Sequence, residues 1–328
     1  RLRERVREIL GSLVEDGFVE TDEALGLEPT ALGRLASKFY MRLDTARSFA
    51  ALARRDTVDE ETVLRAVADA GEFDSVSARR DEREAVRAVL GGGRERDATS
   101  AADLDPGNRK VLAILRASMD GTTPSELQSD AWVIRQNALR LLAALGAFCA
   151  EFSGPAAANL VRRVAARVEH GVSSTAVGLT AIDGVGAGRA GKLATEGLTT
   201  PEDVRRAGVE GLVEAGLSGG VAERVLENAR SLPVLDVEWG EFPDAIVRGE
   251  NQMCEVGVRN AGGGASAGVR VTVNDVEMTT ATAYLGETTV PVGGFGADPD
   301  ELTYAVEVAF PDLPLPPVRE ERTVRVVD

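Results

Sequence analysis

Apolar residues recur at helical spacing through the first two-thirds of the chain and at every second position in the last third. Val6, Ile9 and Leu13 predict an opening helix that Gly17 ends. A short strand, a turn and another helix are predicted next. From about residue 30 to 175 the apolar spacing is helical almost throughout, which predicts a helical bundle.

The pattern changes again towards the end of the chain. Residues 176–232 predict short helices that are separated by glycines. After Pro233 the period is two, so that Cys254, Val256 and Val258 share one face of a strand. About seven short strands in about 95 residues favour an immunoglobulin-like or fibronectin type III-like sandwich.

The predicted fold class is therefore multidomain, with helices first and strands last. Residues 1–29 are predicted to be the end of a winged helix, and residues 30–175 a bundle around one long helix. Residues 176–232 are predicted to form a helix-hairpin-helix domain, and residues 233–328 an immunoglobulin-like β-sandwich. Because the chain opens inside a helical pattern and without Met, we expect it to be a fragment of a longer protein.

Composition indicates a salt-adapted cytoplasmic protein. Acids outnumber bases 53 to 37, a net charge of −16, and the only lysines are Lys38, Lys110 and Lys192. High salt screens the repulsion within so acidic a surface. The two cysteines, Cys149 and Cys254, have neither disulfide nor zinc spacing, which favours a reducing cytoplasm. We expect no membrane association, since the longest uncharged leucine-rich run is half a membrane span.

Catalytic and metal-binding motifs are absent from the sequence. The one histidine, His170, precedes Gly171 at a predicted helix end, where a cation is favourable and no catalysis is indicated. There is no G-x-S-x-G motif, and neither cysteine has a histidine near it in sequence. We therefore expect no catalytic residue, no metal and no cofactor in this chain.

The segment "GAGRAGKL", Gly186–Leu193, is similar to an ATP-binding phosphate loop. Such a loop needs a buried strand before it and a Ser or Thr after the lysine to hold magnesium. Position 193 is Leu, and Leu179, Ile182 and Val185 before the loop have helical spacing. The ATP interpretation and a dinucleotide interpretation of Gly186-x-Gly188-x-x-Gly191 both fail for lack of a strand.

A helix-hairpin-helix fits the same segment better. Gly184, Val185 and Gly186 form the predicted turn, in which both glycines permit geometry forbidden to bulky residues. The bare amides of the turn and the N-terminus of the following helix suit a phosphodiester. Arg189 and Lys192 on the second helix add positive charge. The alternative is a packing corner without a ligand. The predicted core residues are Leu179, Ile182, Ala190 and Leu193.

A second candidate lies on the helix predicted over Asp130–Ala150. Ile134, Leu141, Leu145 and Phe148 share its apolar face. The opposite face carries Gln136, Asn137 and Arg140, continues with small residues, and bears no acid between Ala131 and Ala150. A strand could follow this groove, with Arg140 on phosphate and Trp132 as a stacking surface. The alternative is a buried bundle helix. The small residues are Ala143, Ala144 and Ala147.

Both candidate sites lie in one segment of positive net charge. Residues 131–192 contain seven bases, among them Arg162 and Arg163, and three acids, a net of +4. Residues 234–328 contain six bases and seventeen acids, a net of −11. A basic island on an acidic chain is the pattern of a nucleic-acid footprint, although arginines also pair with neighbouring acids.

Several segments resemble one family. "LGRLASKFYM" (Leu32–Met41) with "DTARSFAAL" resembles the start of the Sec63 homology unit of superfamily-two helicases, in archaeal DNA helicases and splicing helicases. "FDSVSARRDERE" is similar to the family segment that ends R-x-x-E, here Arg79 and Glu82. "IRQNALRLLAAL" resembles the ratchet helix that lines the nucleic-acid channel. "RRVAARVEHGVSSTAVGLTAIDGVGAGRAGKLATEGLTTPEDV" resembles the family's junction between bundle and hairpin.

The resemblance implies a module behind two RecA-like motor domains of the same protein, which would bind ATP and magnesium. Arg140 and Gln136 fall on the ratchet helix, and the turn residues with Arg189 and Lys192 on the hairpin. The sequence departs from the family pattern after Arg140, where alanine replaces a further contact residue. The acidic sandwich would pack on the bundle or recruit a protein partner.

Two functions remain open at this stage. The chain is either the non-catalytic C-terminal region of an ATP-dependent helicase, which binds and guides single-stranded DNA or RNA, or a protein-interaction scaffold. The scaffold would regulate a helicase-like or translocon-like assembly. An enzyme acting alone fits the sequence least.

Overall fold

A computed structural model describes residues 2–21, 26–55, 57–91, 101, 103–240, 242–285, 287–295 and 300–328. The chain is a mixed α and β protein that divides into two compact units, Arg1–Gly171 and Val172–Asp328. The finer division into four domains stays a prediction.

The first unit is mainly helical. Apart from a small antiparallel pair, β1 (Val19–Thr21) with β2 (Leu27–Pro29), its described part consists of helices and their connections. The helices are α1 (Leu2–Glu15), α2 (Ala31–Lys38), α3 (Leu43–Ala53), α4 (Glu60–Ala68), α5 (Glu82–Gly91), α6 (Pro106–Met119), α7 (Gln128–Phe152) and α8 (Pro155–His170).

Local signals explain where these helices begin and end. The Thr30 side chain accepts a hydrogen bond from the Gly33 amide at 3.1 Å and so caps α2. Asp59 and Thr62 form a capping box at the start of α4. Gly171, in the left-handed conformation, ends α8 after His170, as the sequence predicted.

Helix α7 passes through the core of the first unit. Its predicted apolar face is confirmed, because Ile134, Leu141, Leu145 and Phe148 are all buried. Phe148 packs edge-on against Phe49 of α3, with ring centroids 6.1 Å apart. Burial of each such side chain contributes about 1.5–3 kcal/mol, so this face holds α7 in place.

The same helix is long and apolar enough to meet the criterion for a membrane span. The qualifying segment is Ser125–Phe152, and 44% of its most apolar window is buried inside the protein. A core helix of a bundle meets this criterion because its inner face must be apolar. The buried contacts of α7 with α3, α6 and α8 account for its hydropathy here.

The second unit begins with short helices and continues in strands. A 3₁₀ turn (Val177–Ala181) precedes α9 (Ala187–Thr195), α10 (Pro201–Glu214) and α11 (Gly219–Arg230). The Gly208 backbone has a φ of 64° and kinks α10. The strands are β3 (Leu235–Glu238), β4 (Ala245–Val247), β5 (Asn251–Asn260), β6 (Ala265–Val273), β7 (Val276–Leu285), β8 (Glu287–Phe295), β9 (Glu301–Ala309) and β10 (Val318–Val327).

The strands form two sheets, of order β4-β10-β9-β6-β7 and β3-β5-β8. Pairing is antiparallel except between β4 and β10, which are parallel. The predicted alternation holds, because Cys254, Val256 and Val258 of β5 are buried. In β9, Tyr304, Val306 and Val308 are buried in the same way.

Candidate nucleic-acid interface

A buried ionic cluster holds the first turn of α7. The Lys110 ammonium of α6, fully buried, donates to Glu82 Oε1 at 2.7 Å and also to Asp130 at the start of α7. Its third partner is the Ser77 carbonyl at 3.3 Å. The hydrogen bond from Lys110 holds the pKa of Asp130 below its usual value. The cluster therefore joins α5, α6 and α7 at one point.

The Arg79-x-x-Glu82 segment belongs to this cluster. The Arg79 amide donates to Glu82 Oε2 at 2.7 Å, and its guanidinium lies 3.7 Å from Asp130. Glu82 is fully buried, so its charge depends on Lys110 and on these neighbours. Through Glu82 and Asp130, the Arg79-x-x-Glu82 segment helps to fix the position of the first turn of α7.

The predicted stripe on α7 is exposed along its first half. Trp132 is 64% exposed, Gln136 is exposed and Arg140 is half-buried. These residues are four apart and so lie on one line of the helix surface. From Trp132 to Arg140 the line extends about 12 Å, at 1.5 Å per residue. Three of the ten predicted site residues are thus brought together on one helix.

The continuation of the stripe is only partly as predicted. Ala143 is exposed and Ala147 half-buried, but Ala144 is fully buried. Each step of four residues rotates by about 40° round the helix, so position 144 lies about 120° round from Trp132, on the side that α7 buries in the bundle. The exposed line therefore passes through Ala143 and Ala147 only.

The end of α2 orients Arg140. Arg140 Nη1 donates a hydrogen bond to the Phe39 carbonyl at 2.8 Å, across 101 residues of sequence. Phe39 is the C-terminal cap of α2, where carbonyl groups lack helical partners. The guanidinium therefore satisfies a helix end and is held at the surface of the bundle.

The two predicted arginines of α8 differ in environment. Arg162 is exposed, whereas Arg163 is half-buried and its Nε donates to Asn159 Oδ1 at 3.1 Å. Asn159 itself is fully buried. Arg163 is thus partly committed to the packing of α8, and Arg162 presents more of its side chain to solvent.

The structure has a turn at Gly184 and Val185, the residues that the sequence predicted for it. Gly184 has a φ of 83°, a conformation that favours glycine. Val185 is buried, so it offers only its backbone to a ligand. The turn is held by a hydrogen bond from the Val185 amide to the Ile182 carbonyl at 2.9 Å.

Gly186 does not need to be glycine for the turn. It caps α9 with a φ of −95°, which any residue adopts, and a Cβ built there meets no atom within 4 Å. The expectation that both glycines supply forbidden geometry is therefore wrong for Gly186. A bare Cα at this position leaves room beside the first amides of α9, which have no intrahelical partner.

The two basic residues of α9 contact backbone carbonyls of their own unit. The Arg189 guanidinium donates to the Gly184 carbonyl, and Lys192 Nζ donates to the Gly216 carbonyl at 3.3 Å. Both residues remain exposed. Ala190 and Leu193 are fully buried, as predicted. The charges lie beside the turn and the packing residues point inward.

The geometry around Gly186–Leu193 differs from an ATP-binding loop. A 3₁₀ turn precedes the segment where a phosphate loop has a strand, and Lys192 lies in the last turn of α9. Leu193, at the position of the magnesium ligand, is fully buried. The segment is a helix packed by its apolar side.

The thiols and acids of the described residues form no reactive centre. Burial raises the pKa of Cys149 to about 11 and also raises the pKa of Cys254. Within the described residues there is no group of three or more His, Cys, Asp or Glu that could hold a metal ion.

Sequence reasoning missed two features of the first unit. Lys110 was noted only as a rare lysine, since nothing in its local pattern identifies Glu82 and Asp130 as partners. The hydrophobic pattern does not single out Tyr40, which is 90% exposed and has a φ of 51°. The adjacent run without acids, residues 30–43, was the one available signal.

Comparison with known proteins identifies one matching family. The family model described as the Sec63 Brl domain matches residues 29–315. No curated protein matches the chain.

Two solved structures have low similarity to the chain. The CARDB domain of a Pyrococcus furiosus protein, in complex with di-metal ions, is 24% identical over 29% of this chain and 89% of its own, with a TM-score of 0.25. Pseudomonas fluorescens alkylpurine DNA glycosylase AlkC, bound to DNA containing an abasic site analog, is 11% identical over 91% of this chain and 97% of its own, with a TM-score of 0.19. TM-scores this low assign neither fold nor function.

Proposed function

The chain belongs to the Sec63 Brl domain family, and from this premise we propose that it is the non-catalytic C-terminal region of an ATP-dependent helicase. In this role it binds and guides single-stranded DNA or RNA. ATP hydrolysis takes place in RecA-like motor domains of the same protein, which hold ATP and magnesium. The protein acts in the cytoplasm at high salt.

The observation that carries the proposal is the exposed line of Trp132, Gln136 and Arg140 on α7. It bears no acid although the chain has a net charge of −16. A flat aromatic, an amide and a guanidinium along about 12 Å match three to four stacked bases, which rise about 3.4 Å each. We assign the exposed Arg162 of α8 to the same strand-binding role.

The turn at Gly184 supplies the second contact. We assign it to a helix-hairpin-helix whose amides, with Arg189 and Lys192, bind a backbone phosphate. In the same proposal α1 with β1 and β2 is the end of a winged helix, and the two sheets form an immunoglobulin-like sandwich. The negative charge of the sandwich repels nucleic acid. In this proposal the sandwich therefore recruits a protein partner instead.

Fluorescence anisotropy with a labelled single strand tests the proposal. The wild-type protein should bind at low salt, and binding should weaken as salt rises. Arg140→Glu and Lys192→Glu should each weaken binding about tenfold or more, because each removes a charged contact and adds repulsion. The matched control is Arg270→Glu in β6, which makes the same charge change next to Glu277.

Three outcomes would contradict the proposal. If the folded wild-type protein binds no strand at any salt, the scaffold function replaces it. An equal loss of affinity in the Arg270→Glu control would mean that net charge alone attracts the strand. Purified protein should hydrolyse no ATP, and turnover that Lys192→Ala abolishes would restore the ATP-site interpretation.

A further inference from the structure

Helix α2 ends in a hydrogen-bonded turn that normally contains glycine. The Tyr40 amide donates to the Ser37 carbonyl at 3.2 Å and the Met41 amide to the Ala36 carbonyl at 3.0 Å. This pair of bonds defines a Schellman turn, whose left-handed position is usually Gly or Asn. Here that position is Tyr40, with a φ of 51°. A side chain in this conformation is strained.

The fold gains little packing in return for this strain. Tyr40 is 90% exposed, whereas Met41, the next residue, is buried with Ala36 in the core of the first unit. Local rules of this kind are broken mainly where function requires it. The reason for a tyrosine at position 40 therefore lies outside the packing of the first unit.

The backbone of Tyr40 lies next to Arg140, the last residue of the line on α7. Arg140 donates to the Phe39 carbonyl, and that carbonyl is joined by one peptide bond to Tyr40. Consecutive Cα atoms lie about 3.8 Å apart, so the backbone of Tyr40 is fixed close to the Arg140 guanidinium. The hydrogen bond to Phe39 thus keeps the exposed Tyr40 and the half-buried Arg140 close together.

The sequence around Tyr40 is basic. Residues 30–43 carry Arg34, Lys38 and Arg42 and no acid, in a chain where acids dominate. Arg42 is paired with Asp44 and Asp74, and Arg34 donates to the Pro29 carbonyl at 2.7 Å. The Lys38 ammonium lies 5.4 Å from the centre of the Phe39 ring. An exposed ring with Lys38 two residues before it and Arg140 bonded to the preceding carbonyl suits a ligand with flat bases and anionic links.

We propose that Tyr40 is a base-stacking residue of the strand-binding surface, with its ring on a nucleobase and Lys38 and Arg140 on the flanking phosphates. This inference rests on the proposed function and extends the surface from α7 to the end of α2. Stacking on an aromatic side chain tolerates any base sequence, which suits a protein that guides a moving strand.

The test uses the substitutions Tyr40→Asn and Tyr40→Trp in the full chain. Asn accepts the left-handed conformation but has no ring. Tyr40→Asn should therefore unfold at the same temperature as the wild type or up to about 2–4 °C higher. Its affinity for a labelled oligothymidylate of about 20 nucleotides should fall roughly 5- to 100-fold. Tyr40→Trp should bind as well as the wild type, and Tyr284→Asn, at a 75% exposed tyrosine of β7, is the matched control.

A strand of abasic spacers separates the contribution of the bases to affinity from that of the phosphate backbone. The wild type and Tyr40→Asn should bind this strand equally, because the phosphates are kept and the bases are gone. Equal affinity of both proteins for the oligothymidylate would overturn the stacking role, as would an equal loss on both strands. If the wild type binds neither strand, both the proposed function and this inference are wrong. If Arg140→Glu weakens binding and Tyr40→Asn does not, the proposed function is retained and the stacking role of Tyr40 is wrong.

Discussion

Tyr304 lies in the middle of the five-stranded sheet with its side chain fully buried. Its ring meets Phe242 at a centroid distance of 4.9 Å, and Phe242 in turn meets Trp239 at 5.2 Å. Among the buried side-chain nitrogen and oxygen atoms that the structure describes, its hydroxyl is the one without a hydrogen-bond partner. Burial raises the pKa of Tyr304, and interaction with Cys254 raises it further.

The substitution Tyr304→Phe should stabilise the second unit. It removes an unsatisfied buried hydroxyl and keeps the ring, so the free energy of unfolding should rise by about 1 kcal/mol. Urea unfolding followed by Trp239 fluorescence, in a Trp132→Phe background, measures this change. Tyr284→Phe serves as an exposed control with no expected effect. A clear loss of stability in Tyr304→Phe would show that the hydroxyl is satisfied in solution.

At the scale of elements, the position of α7 depends on the cluster of Lys110, Glu82 and Asp130. The residues come from three helices, and Lys110 and Glu82 are both buried. Loss of one partner from a buried ion pair leaves the other charge without compensation. Removal of one member of the cluster should therefore cost more stability than the intact cluster contributes relative to apolar side chains.

The substitution Lys110→Met should destabilise the first unit by about 3–5 kcal/mol, because it leaves Glu82 buried and unpaired. Unfolding followed by Trp132 fluorescence reports the effect, since Trp132 lies two residues after Asp130. Arg79→Met is the matched control. The Arg79 side chain is 60% exposed, so its loss should cost only about 0–1 kcal/mol. Equal losses in the two variants would place the stabilisation outside the buried pair.

The cluster also gives the first unit a pH dependence. The pKa of Asp130 is held below its usual value of 3.8 by the hydrogen bond from Lys110. Its contribution to stability is therefore complete above about pH 5 and is lost as the pH falls through the folded pKa. The stability difference between the wild type and Asp130→Asn should be largest at neutral pH and should shrink below about pH 4.

Periodicity predicted the elements well and their partners poorly. The buried face of α7 and the alternation in β5 follow from local spacing, which the sequence contains directly. The bond from Arg140 to Phe39 spans 101 residues and depends on how α2 packs on α7. Tyr40 was missed because tyrosine has no preference for a left-handed turn, and the role of Gly186 was misjudged because glycine also occurs where ordinary geometry suffices.

At the scale of the whole molecule, charge is divided unequally between the two units. Residues 172–328 carry 12 bases and 25 acids, a net of −13, which leaves −3 of the total −16 for residues 1–171. Repulsion within the second unit is therefore much stronger. The acidic excess is concentrated in the second unit, whereas the line of residues on α7 belongs to the first.

Salt should stabilise the two units to different extents. Between about 0.1 M and 1 M salt the screening length falls from about 10 Å to 3 Å, which removes most repulsion between surface acids. The unfolding temperature of the second unit should rise by on the order of 5 °C, and that of the first unit by less. The single-tryptophan variants Trp132→Phe and Trp239→Phe report the units separately. Equal shifts would argue against salt adaptation that is specific to the acidic unit.

The bond between Arg140 and the Phe39 carbonyl has a kinetic consequence. A long arginine side chain normally samples many rotamers and loses that entropy when it contacts a ligand. Here one N–H is already committed to α2, while the remaining N–H groups of the guanidinium stay available. Much of the ordering has therefore occurred before the proposed ligand binds. A lysine at position 140 would keep the charge but lose this restraint, so strand capture should slow down.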